Sequence, residues 1–188
     1  MTEGSPSPGF LRRPRRVWNP LRAKSRRDHA LKGWRAAVDV GADQPAVFDF
    51  LADLRNHWDL TGRSVRLVGL DGPRGGTVVL RGPLGLRRAA RTSVTRADPP
   101  RSICGKAEIG SRTRAVVGWT VIPKGRGRSR VVLEAFVERC ALLDRLLLMF
   151  GGHFWMHRLL EQTVARMAEV LETSKPAATL TSSSARPS

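Results

Sequence analysis

At 188 residues the chain has room for one domain with a sizeable core, and too little for two comfortable ones. Lysine and arginine number 33 against 16 acidic residues, and the two cysteines, lacking CxxC or small-secreted-domain spacing, do not make a disulfide scaffold. No apolar run reaches the roughly 20 residues of a membrane span or forms the apolar segment of a secretory signal, so reduced thiols and a cytoplasmic location are expected.

Charge is unevenly spread. Residues 1–35 carry ten basic side chains against Glu3 and Asp28, with almost no apolar periodicity, so this stretch cannot bury enough surface to offset chain entropy. Residues 1–34 are therefore expected to form a basic disordered tail, with RNA or an anionic membrane as its possible electrostatic partners. Residues 173–188, rich in Ser, Thr, Ala and Pro, are expected to be a second disordered tail. The folded domain is expected over residues 35–172.

Within it, Ala36 to Val40 reads as a strand. Asp43 is placed to cap a helix with Pro45 in its first turn, and Val47, Phe48, Leu51 and Leu54 fall on one face. A second helical turn is expected over Asn56 to Leu60. Six strand-like runs follow: Ser64 to Leu70, Thr77 to Arg81, Leu86 to Ala97, Ser102 to Ile109, Thr113 to Ile122 and Arg130 to Cys140. The links between them are short and rich in Gly, Pro and Asp, which allows antiparallel neighbours and excludes parallel crossovers. A helix from about Ala141 to Glu172 closes the chain; if it is continuous, Leu142, Leu146, Phe150, Leu160, Val164, Met167 and Leu171 form one stripe. Gly151-Gly152 is expected to kink or break it.

This order resembles the SRPBCC (START-like) superfamily, and within it the polyketide cyclase/dehydrase-like proteins. The resemblance rests on Val38-Asp39-Val40 leading into Ala46 to Leu54, on Trp58, and on the strand entry Gly75-Gly76-Thr77. Asp98-Pro99-Pro100-Arg101, Trp119 to Pro123 and the closing helix complete it. It implies an α+β helix-grip fold, in which a curved seven-stranded antiparallel sheet wraps a long C-terminal helix, with two short helices after the first strand. It also implies a cavity between sheet and helix.

Strand parity then selects the side chains that face such a cavity. The inward sets are Ala90, Thr92 and Val94; Ile103, Gly105, Ala107 and Ile109; Ala115, Val117, Trp119 and Val121; and Val131, Leu133, Ala135 and Val137. From these, Thr92, Val94, Ala107, Val117, Trp119, Leu133 and Ala135 are candidate ligand contacts, joined by Trp58 and by Phe150, His153, His157 and Leu160 of the last helix. Each aromatic also has a plainer role as core filler. His153 and His157, one helical turn apart, share the face of Leu160 and are the candidates for proton transfer. They lack the Glu of a zincin helix and any evident third ligand, so neither a metal nor another cofactor is expected. Solvated or internally satisfied histidines are the plainer alternative.

The sequence contains no tyrosine, no GxSxG and no phosphate-binding glycine loop. Binding or carrying of a small hydrophobic ligand, lipid-like or aromatic, is the leading expectation. A polyketide cyclase or dehydratase is one alternative. A basic module docking on RNA or anionic membrane is another.

Overall fold

The computed structural model describes residues 33–82 and 85–173. The segments expected to be tails lie outside these residues, apart from Gly33, Trp34 and Thr173.

Seven strands form one antiparallel sheet: β1 (Gly33–Val40), β2 (Val65–Leu70), β3 (Gly75–Arg81), β4 (Arg87–Asp98), β5 (Ser102–Ile109), β6 (Thr113–Pro123) and β7 (Ser129–Arg139). Their order is β1-β7-β6-β5-β4-β3-β2, so the first strand closes against the last. Backbone bonds tie the turns: Asp71 N–H to the Gly75 carbonyl at 2.9 Å, Arg101 N–H to Asp98 at 2.7 Å, and Lys124 N–H to Arg128 at 3.0 Å. Register shifts interrupt the ladders between Leu67 and Gly69, between Val94 and Arg96, and between Arg114 and Ala115. An extra residue on one strand bends that strand and increases its twist, which helps the sheet curve.

Two short helices follow β1, as expected, but the first ends at Ala52, so Leu54, expected on its face, instead opens the second. α1 (Gln44–Ala52) starts where Ala46 N–H donates to Asp43 Oδ1 at 3.1 Å. α2 (Leu54–Thr61) starts likewise, Arg55 N–H donating to Asp53 Oδ1 at 2.9 Å. Arg166 Nη1 donates to the Leu60 carbonyl near the C-terminal end of α2 at 3.3 Å, joining it to the last helix.

The C-terminal element comprises α3 (Leu142–Leu147), a π-helical turn over Leu148–Gly152, and α4 (His153–Thr173). The expected kink is present. Gly151 has φ +98°, a left-handed value that a side chain disfavours, and Phe150 has also left helical geometry. Gly152 is needed for space, since a Cβ there would lie 2.6 Å from the Leu147 carbonyl oxygen.

The kink corrects the single stripe that a continuous helix predicts. Beyond it Leu160, Val164 and Met167 are buried, and Met167 is fully so; before it Leu142, Leu146 and Phe150 are exposed. Turning the backbone at Gly151 shifts the phase of α3 relative to α4, and the two halves no longer present one face. α4 packs against β1, α2 and β7. Its buried residues join Trp34, Val47, Leu51, Trp119 and Val131 in the main core, while Val65, Val78 and Ala90 form a separate small cluster backed by Trp58, Leu80 and Ile109.

Candidate functional site

A cavity of about 310 Å³ borders both clusters, with residues from each in its wall. That volume lies at the lower end of the range for small-molecule sites, about 300–1,000 Å³. β4, β5, β6 and β7 supply the concave wall, and alternate residues point inward because side chains of a strand alternate between its faces. α2 closes one side; α3, the π turn and the start of α4 close another.

Nine candidate contacts line the cavity: Trp58, Thr92, Val94, Ala107, Val117, Trp119, Leu133, Ala135 and Leu160. Three do not. Phe150 is 79% exposed, because the kink turns it away from the sheet. His157 lies on the flank of α4, half exposed, with Nδ1 3.3 Å from Glu161 Oε2. His153 packs against Trp34, ring centroids 5.5 Å apart, and its backbone carbonyl accepts a hydrogen bond from Trp34 Nε1 at 3.1 Å. Trp34 is itself buried and lines the cavity. The indole therefore contributes to the wall where His153 was expected.

The imidazole at the wall belongs to His57. A carbonyl oxygen can only accept, so the 2.6 Å contact between His57 Nε2 and the Leu51 carbonyl places the proton on Nε2. Nδ1 of the neutral ring is then a hydrogen-bond acceptor. Burial lowers the His57 pKa, against smaller opposing effects from the Leu51 hydrogen bond and the Asp53 charge, so the neutral form is favoured. The ring also tilts over Trp119, with centroids 5.7 Å apart.

Four threonine hydroxyls in the wall are engaged within the protein. Thr61 donates to the Trp58 carbonyl at 2.8 Å, Thr92 to Gly76 at 3.0 Å and Thr163 to Leu159 at 2.7 Å. Thr113 donates to Asp144 Oδ2 and accepts the Ala141 N–H at 3.0 Å, and Arg88 closes on Asp144 at 3.1 Å. This cluster pins α3 to β4 and β6 at one end of the cavity. The Trp58 indole N–H is sealed from solvent and has no partner within the protein.

Among the described residues no cluster of His, Cys, Asp and Glu is arranged to hold a metal, and no helix is long and apolar enough to cross a membrane. Burial raises the pKa of both Cys104 and Cys140, which disfavours the nucleophilic thiolate. On the outer face Arg35 meets Glu134 at 3.6 Å, Arg114 meets Glu108 at 2.8 Å and Arg130 meets Asp39 at 2.9 Å. Such exposed pairs are worth about 0–1 kcal/mol each, and they account for part of the arginine excess as a solvated face.

Sequence reasoning passed over Trp34, Trp155 and Met156, and chose Trp58 without its neighbour His57 among the ligand contacts. Trp34 was within reach, since it shares strand parity with Ala36, Val38 and Val40 and lies just outside the expected boundary at residue 35. Trp155 and Met156 required knowledge of the phase of α4 after the kink. His57-Trp58-Asp59 follows the first helix, where the family places residues of the cavity mouth, but the hydrogen bond from His57 to the Leu51 carbonyl has no sequence signature.

The fold has many solved counterparts. A protein from Thermus thermophilus superposes with TM-score 0.59 at 19% identity, covering 77% of this chain and 99% of that one. A START superfamily protein from Mycobacterium smegmatis gives TM-score 0.54 at 12% identity, covering 75% and 97%. Truncated norcoclaurine synthase from Thalictrum flavum gives 0.55 at 11%, covering 74% and 92%. At these identities the likeness carries the fold alone. A comparison with curated proteins found no match. Residues 34–172 match the family described as polyketide cyclase / dehydrase and lipid transport, and with that match, the helix-grip sheet and the long kinked terminal helix, the chain belongs to this START-like family.

Proposed function

We propose that the protein binds a small apolar ligand, lipid-like or aromatic, in the cavity between sheet and α4, with His57 Nδ1 as the polar anchor. The observation that carries this reading is the hollow itself: about 310 Å³ bordered by Trp34, Val117, Trp119, Leu133 and Leu160, where the threonine hydroxyls of the wall are already bonded within the protein. Apolar surface entering such a space gains roughly 25 cal/mol per Å² removed from water. A ligand hydroxyl donating to Nδ1 would keep its hydrogen bond on leaving water.

The test is titration of the purified full chain with 2-naphthol, followed by tryptophan fluorescence. Saturable binding is expected, and Ala107→Phe, which projects a ring into the hollow, should abolish it while leaving the protein folded. Unchanged binding in that variant would put the ligand elsewhere.

A cyclase- or dehydratase-type reaction is the second reading, favoured by the neutral imidazole at the cavity wall. It predicts that His57→Phe stops turnover of a polyketide-like substrate in a protein that still folds, while 2-naphthol, which loses only the acceptor of its hydroxyl, binds more weakly but is not lost. Equal turnover in the two proteins removes it. The third reading, docking of the basic N-terminal segment on RNA or anionic membrane, concerns residues outside those described; salt-dependent RNA binding by the full chain is its test.

A further inference from the structure

Eleven large apolar side chains are exposed among the described residues, and six of them fall between Leu142 and Phe154. Leu142, Met149, Phe150 and Phe154 have between 71% and 79% of their surface open, and Leu143 and Leu146 accompany them. Scattered exposed apolar residues are ordinary, but a concentration of this size in one stretch marks an interaction surface. The inner side of the same stretch is also apolar: Leu147, Leu148, Gly152, Trp155 and Met156 line the cavity. Core packing explains the inner side and leaves the outer one without a purpose.

The surrounding charge identifies the partner. Arg139, Arg145 and Arg158 are exposed on this stretch or next to it. The nearby acids are engaged, Asp144 by Arg88 and Thr113, and Glu161 by contact with His157. A second copy of the chain would bring one cationic rim against another. An anionic bilayer surface suits both features, since apolar side chains enter the acyl boundary while guanidinium groups meet phosphates.

We propose that α3, the π turn and the first turn of α4 dock on an anionic membrane leaflet, and that the cavity exchanges its apolar cargo with the lipid there. The second half of this statement rests on the ligand-binding reading; the docking surface does not. The Gly151 kink suits the role, because it breaks the helix between five of the six outward residues, Leu142 to Phe150, and the packed body of α4.

The experiment is co-sedimentation of the full chain with vesicles of phosphatidylcholine plus phosphatidylglycerol, and with phosphatidylcholine alone. A Met149→Ser, Phe150→Ser, Phe154→Ser variant keeps the net charge, so attraction by basic residues elsewhere is unchanged. At least about tenfold weaker partitioning of this variant onto the anionic vesicles is expected, at an unchanged thermal midpoint. Should the triple variant misfold, Phe150→Ser alone should bind about threefold more weakly. Equal partitioning of variant and parent would assign membrane attraction to charges elsewhere and overturn the proposal. A parent dimer in light scattering that the triple variant abolishes would show that a second copy covers the patch, and would also overturn it. Patch-dependent vesicle binding without 2-naphthol binding would uphold the surface and remove the cavity reading.

Discussion

The C-terminal element has two halves that share an apolar composition and meet opposite fates. From Leu160 onward, α4 is a packed core helix: Leu160, Val164 and Met167 are buried against β1, α2 and the main cluster. From Leu142 to Leu159 the chain borders a hollow on one side and turns large apolar side chains outward on the other. The packed half supplies stability, and the other half is the one the proposed ligand and membrane surface would meet.

The largest expected effect tests that division directly. Met167→Ala should destabilise by about 2–5 kcal/mol in chemical denaturation, because it empties a filled site, whereas Met156→Ala beside the cavity should cost less than about 1.5 kcal/mol. Equal losses would mean that the hollow half is packed as tightly as the other. Next, Asp144→Ala should cost about 2 kcal/mol and lower hydrogen-exchange protection in α3, since it removes the charged acceptor of Arg88 and Thr113. Full protection in that variant would show that α3 is held by other contacts.

Acid should act through His57. Its folded-state pKa lies below the ordinary value of 6.5, so below pH 6.5 the unfolded chain takes up the proton more readily. This contribution to stability is complete above pH 6.5 and is lost as pH falls through the window down to the folded-state pKa. The slope is at most about 1.4 kcal/mol per pH unit. His57→Leu should lack that component of the acid slope; an identical slope would assign it to other groups.

Smaller effects belong to the kink and the outer face. Gly151→Ala should cost about 1 kcal/mol in thermal or chemical unfolding, the strain of a side chain at φ +98°. Phe150→Ser should change stability by less than about 0.5 kcal/mol, in contrast to Met167→Ala, because Phe150 is already in water. A large loss at Phe150 would contradict its exposed placement.

Much of the cavity wall was legible because a strand encodes its faces by alternation. Thr92, Val94, Ala107, Val117, Trp119, Leu133 and Ala135 all stand where parity directs them. Helical periodicity fails twice: at Phe150, because the glycine pair interrupts it, and at His157, which stands half exposed on the flank of α4 beside the face of Leu160. A local count of 3.6 residues per turn carries no memory across a break, so every residue on the far side changes direction together.

From residues alone, the order of elements, the antiparallel connections, the caps at Asp43 and the site of the kink were determined, since each follows from chemistry within a few neighbouring residues. Tertiary structure alone decided that the main core and the smaller cluster stay apart with space beside them, that Trp34 occupies the place expected of His153, and that His57 becomes a neutral acceptor at the cavity wall. Those outcomes depend on contacts between distant segments: Trp34 with the His153 backbone 119 residues away, and α2 closing over strands that follow it. No pattern within a single stretch records them.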